Sequence, residues 1–131
     1  MQRVLEVLSF STPVGISLVW VRVLAEDDDQ AAQTAAGQFQ HPGWQNFYDP
    51  GQLAAREMAA ALGGAGSFAW DVYLAFSTGI TWDAVPPKPS GWVHQLDHAA
   101  WASAERCFKG EALIQAIYQM VNQAMKNTIQ E

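Results

Sequence analysis

The segment Ile16–Leu24 limits the possible folds more than any other part of the chain. It reads Ile-Ser-Leu-Val-Trp-Val-Arg-Val-Leu, rich in β-branched and aromatic residues, a composition that suits a pleated strand. Side chains alternate along a strand, so Val19, Val21 and Val23 share one face while Leu18, Trp20 and Leu24 share the other. A strand that is apolar on both faces must be covered on both, as in a parallel or mixed sheet flanked by helices. Phe68–Phe76 is a second segment of this kind. Phe68, Trp70, Val72, Leu74 and Phe76 fall on one face, with Asp71 and Tyr73 on the other. The sequence-level expectation is that both segments belong to one sheet wrapped in helices.

The intervening elements follow from turn and cap chemistry. Glu26-Asp27-Asp28-Asp29 precedes the stretch Gln30–Gln40. Such a run of acids can hold a metal or cap a helix start, and capping is the simpler reading because carboxylates accept the free N–H groups there. His41-Pro42-Gly43 ends that helix, and Trp44–Tyr48 reads as a short strand. Asp49-Pro50-Gly51-Gln52 has the form of a helix start, with Asp49 as cap, Pro50 in the first turn and Gln52 reaching back. The helix would run Pro50–Leu62 and stop at Gly63-Gly64. After Phe76, Ser77-Thr78-Gly79 turns the chain toward a hairpin return at Ile80-Thr81-Trp82. Pro86, Pro87 and Pro89 make the following stretch an extended loop. A short strand or turn from Trp92 and a helix near Ala99–Cys107 come next. The last element is a long amphipathic helix after Gly110, with Leu113, Ile114, Ile117, Tyr118, Val121 and Ala124 at helical spacing. Residues 1–10 fit either a helix or a strand.

Composition narrows the function classes. With 131 residues, half of them apolar and 15% charged, the expectation is a single α/β domain able to bury its own core. The formal net charge is −6, and the seven Lys and Arg are scattered. That distribution disfavours nucleic acid and anionic membrane surfaces, both of which select clustered cations. Cys107 is the single cysteine, which excludes an intrachain disulfide and all CxxC or zinc-knuckle chemistry. Glu6 interrupts the early apolar stretch, a poor signal peptide, and no apolar run approaches a membrane span. The expected location is the cytoplasm.

The order strand, helix, short strand, helix, strong strand, hairpin strand, long helix resembles the thioredoxin-like superfamily. The matching pieces are Leu18–Leu24 followed by Asp27-Asp28-Asp29, Trp70–Phe76 with its hairpin, and Lys109-Gly110 leading into the last helix. The resemblance implies a small mixed sheet flanked by helices. It carries no redox chemistry, because the CxxC has no counterpart and Gly63–Ser67 stands where a cis-proline is expected. It also implies that the first strand is either supplied by residues 4–10 or missing. An incomplete sheet leaves backbone groups unpaired, so a homodimer that covers the deficit is the expected partner arrangement.

Candidate chemistry is confined to a few residues. His94 and His98, four apart, would share a helix face and could hold zinc or iron; the alternative is two ordinary histidines at a loop-to-helix junction. Trp82, Trp92 and Trp101 offer large rigid surfaces suited to a small molecule, a peptide or a self-interface, or they cover the end of the core. Cys107, near Arg106 and Lys109, is either a reactive thiol or a small buried hydrophobe. Asp71 is a candidate buried acid. No P-loop, dinucleotide fingerprint or nucleophile elbow occurs, so no cofactor is expected. The function expected from the sequence is a non-catalytic binding or assembly module, with a small metal-dependent enzyme using His94 and His98 as the alternative.

Overall fold

A computed structural model describes residues 15–130, except 25, 39–43 and 98, with side chains described up to residue 126. Residues 1–10, His41 and His98 therefore lie outside the described residues. The elements in chain order are β1 Ile16–Val21, α1 Asp29–Gln38, β2 Trp44–Asp49, α2 Leu53–Ala61, β3 Val72–Ala75, β4 Gly91–His94, one 3-10 turn Ala104–Arg106, and α3 Gly110–Gln130. This is a mixed α/β protein with small sheets. The chain divides within α2 into two compact units, the first ending at Ala55 and the second beginning at Arg56. No described helix is long and apolar enough to cross a membrane.

In the first unit β1 pairs with β2 in parallel, with Ile16 opposite Trp44 and Val21 opposite Asp49. One face carries Leu18, buried, and the Trp20 indole, which donates to Asn46 Oδ1 at 2.8 Å. The Tyr48 hydroxyl on that face donates to the Asp27 carbonyl at 3.1 Å. On the other face Val19 and Phe47 are register partners, and they remain 46% and 51% exposed. β1 stops at Val21, short of the Leu24 expected, because the Asp27 carboxylate accepts the N–H groups of Val23 and Leu24. Those donors leave the ladder for a local turn. Asp28 caps α1 by accepting from Ala31 N–H at 2.9 Å, and Asp29 accepts from the Gln33 amide. The acidic run thus serves turn and cap, as its position suggests.

Asp49 is buried and caps α2 with both carboxylate oxygens, accepting from Leu53 N–H at 2.8 Å and Ala55 N–H at 3.0 Å. The helix begins at Leu53, later than expected at Pro50. Gln52 has φ +58, so Pro50-Gly51 forms a turn and cannot be helical. The Gln52 side-chain amide donates to the Arg22 carbonyl. The far end of α2 closes with the expected glycines. Gly63, at φ +99, lets Gly63 N–H reach the Ala60 carbonyl and Gly64 N–H reach the Ala59 carbonyl, the paired bonds of a Schellman stop.

In the second unit β3 and β4 are antiparallel, with Val72 opposite His94 and Ala75 opposite Gly91. Val72 and Leu74 pack with Leu62 and Trp101 against the buried cluster Met58, Ala59 and Ala69. The Met120 side chain of α3 comes against Gly91, and Leu113, Ile117 and Ala124 of the same helix are buried. This sheet therefore lies between α2 and α3.

Four expectations need correction. Among the described residues the two apolar segments do not share a sheet: each ladder is two-stranded, β1 with β2 and β3 with β4. The strand expected at Phe68–Phe76 is confined to Val72–Ala75, because Asp71 has φ +52, a left-handed conformation that ends an extended run. The hairpin return is Gly91–His94, not Ile80–Trp82. Gly79 makes a tight local turn in which Ile80 N–H meets the Ser77 carbonyl. The prolines that follow cannot donate to a ladder, so pairing resumes only beyond Pro89. Finally, the helix expected near Ala99–Cys107 is a single 3-10 turn at Ala104–Arg106.

Candidate functional site

Four of the candidate residues converge on β4. Trp92 and His94 are two apart on the strand and so share a face; His94 is therefore not on the helix face expected for it with His98. His94 is fully buried, at 0% exposure. Its Nδ1 lies 2.9 Å from Leu96 N–H, and its Nε2 lies 2.8 Å from the Ser103 carbonyl. A backbone N–H only donates and a carbonyl only accepts. The hydrogen-bond network therefore assigns the neutral tautomer that carries its proton on Nε2.

The Trp92 ring stacks on Trp101 with centroids 6.0 Å apart and planes 14° from parallel. Trp92 and His94 centroids are 5.8 Å apart. The Arg106 guanidinium stands 4.8 Å from the Trp92 ring centroid and donates to the Trp92 carbonyl at 3.0 Å. A cation over an indole face is attracted by the ring quadrupole. Gly64 is obligatory beneath this stack: a Cβ there would lie 2.6 Å from the Trp101 ring.

The segment after β4 folds back along it. Phe108 N–H donates to the His94 carbonyl at 3.0 Å, and His94 and Cys107 form a parallel bridge. The half-buried Cys107 thiol faces the Leu96 carbonyl at 4.0 Å. Lys109 pairs with Asp97 at the surface; that hydrogen bond, aided by the carboxylate charge, holds the ammonium pKa above its ordinary value. On the other side of the sheet the Gln95 amide donates to the Tyr73 hydroxyl at 3.0 Å. Burial pushes the Tyr73 phenol up, and the nearby Asp71 charge adds to the effect.

The structure thus brings Trp92, His94, Trp101 and Cys107 together. Trp82, 47% exposed on the loop between β3 and β4, is not part of the stack, and His98 lies outside the described residues. Asp71 is exposed at the β3 start, not buried. Arg106, Ser103 and Gly64 complete the cluster and had no individual signal in the sequence beyond the Gly63-Gly64 helix stop. Chemically the arrangement is a clamp. Both imidazole nitrogens of His94 are committed to backbone groups, so a metal could take one only by displacing Leu96 N–H or the bond to Ser103. Among the described residues no group of three or more His, Cys, Asp or Glu side chains is gathered for a metal ion. No protein-family model, curated protein or solved structure matches the chain.

Proposed function

We propose that this protein is a non-catalytic binding or assembly module, thioredoxin-like in plan, that works as a homodimer. The observation that carries the proposal is a division of labour among the side chains. Groups able to do chemistry, His94 above all, are turned inward and used to hold backbone. Large apolar side chains are left in water: Val19 beside Phe47 on the first sheet, and Ile80, Trp82 and Val85 on the loop after β3. Exposed apolar clusters of this kind mark contact surfaces. Element order and the pairing sense within each unit support the thioredoxin-like part of the reading, although among the described residues the ladders are separate where that family has one sheet. A parallel strand–helix–strand unit precedes a helix, and an antiparallel pair then leads into the last helix.

The test is sedimentation velocity and light scattering on the purified chain across the micromolar range. A concentration-dependent dimer is expected; a monomer at every concentration contradicts the proposal.

A further inference from the structure

We propose that the loop of residues 76–90 is the seam through which two copies of this chain join; this rests on the self-association reading above. The loop is far longer than the connection it makes. Antiparallel neighbours need only about two to five linking residues, whereas this one runs from the end of β3 at Ala75 to the start of β4 at Gly91.

Its base is nevertheless fastened. The Ser77 and Ser90 hydroxyls are 3.0 Å apart, Ser90 N–H donates to the Ala75 carbonyl at 2.8 Å, and the Ser77 hydroxyl reaches the Ala124 carbonyl of α3. Beyond that clasp Ile80 is 50% exposed, Trp82 47% and Val85 68%. Proline sets its own backbone, and a residue preceding proline is driven to extended conformations. Val85 to Pro89 is therefore largely fixed before any contact forms, and Pro86 is already buried. Pre-organised segments lose little entropy on docking.

The charges favour a second copy over other occupants. Asp83 and Lys88, both exposed, cancel within the loop, so the net charge of −6 belongs to the rest of the molecule. Two copies, each acidic overall, can meet through this loop without like-charge repulsion between the loops. In a two-fold seam each contact occurs twice with the roles exchanged, so Asp83 can face the partner's Lys88 on both sides of the axis. A loop of this size would make a seam at the small end of interfaces, the range of weak and transient association.

The experiment measures dimer dissociation by sedimentation equilibrium for the full chain and four variants. I80S/W82S should weaken the dimer about thirtyfold or more, as loss of a central aromatic anchor does. D83K and K88D should each weaken it about tenfold, and the swap D83K/K88D should return it to within about threefold of the original. Far-UV circular dichroism confirms that each variant is folded. A dimer unchanged in I80S/W82S, or a swap as weak as its parents, overturns the seam while leaving self-association standing. A wild-type chain that is monomeric throughout overturns both.

Discussion

Two long segments flank β4, and they are held in opposite ways. Residues 95–109, after the strand, are tied to it by the His94 imidazole, the Phe108 N–H, the Arg106 guanidinium and the Trp92–Trp101 stack. Residues 76–90, before it, are fastened at the base by the Ser77–Ser90 pair and hold Ile80, Trp82 and Val85 in water. Each carries one tryptophan, Trp82 before the strand and Trp101 after it, and both are short of regular structure. What separates them is whether polar side chains reach backbone groups that would otherwise be buried and unpaired. The first segment is held to the strand along its length, and the second presents apolar side chains to solvent.

The sharpest way to break this contrast is to remove the tie. His94→Leu keeps apolar bulk but orphans the Leu96 N–H and Ser103 carbonyl, and should cost about 3 kcal/mol in urea unfolding. A cost near zero would show that the clamp does not hold the segment. Gly64→Ala drives a methyl group into the Trp101 ring and should cost about 2 kcal/mol, read as a lowered melting temperature. Arg106→Ala loses one backbone hydrogen bond and the contact over Trp92, for about 1 kcal/mol.

A smaller effect concerns Tyr73 and appears only in alkali. Its phenol titrates above the ordinary value, chiefly through burial. The folded state therefore binds this proton more tightly than the unfolded chain does. The resulting stability is complete below the ordinary tyrosine pKa of about 10 and is lost as pH rises through the elevated value. Absorbance titration should show a phenolate step above the ordinary tyrosine value, and Tyr73→Phe should remove that step. Smallest of all is the effect of I80S/W82S on unfolding of the monomer. It should stay within about 0.5 kcal/mol, as for surface sites generally, in contrast to its effect on the dimer.

Much of the local architecture was legible in the sequence. β1, the two helices around β2 and the long terminal helix follow from alternation, caps and helical spacing. Asp49 and Gly63 act as their residue types imply. What escaped depends on backbone conformations that propensity does not encode. Asp71 and Gln52 adopt left-handed φ values, which shorten one strand and delay one helix. The true partner of β3 lay beyond a proline-rich loop, so the nearer Ile80–Trp82 looked like the return strand. At the site, the four-residue spacing of His94 and His98 suggested a helix face, whereas His94 lies on β4 beside Trp92. The identity of the groups that take up the imidazole was not legible, because Leu96 N–H and the Ser103 carbonyl are backbone atoms brought close only by the fold.

Hydrogen exchange at low and high protein concentration, read residue by residue, tests the contrast most directly. The amides of residues 76–90 should slow as concentration rises, while those of 95–109 stay protected throughout. Exchange in 76–90 that is indifferent to concentration, or rapid exchange in 95–109, would contradict the account.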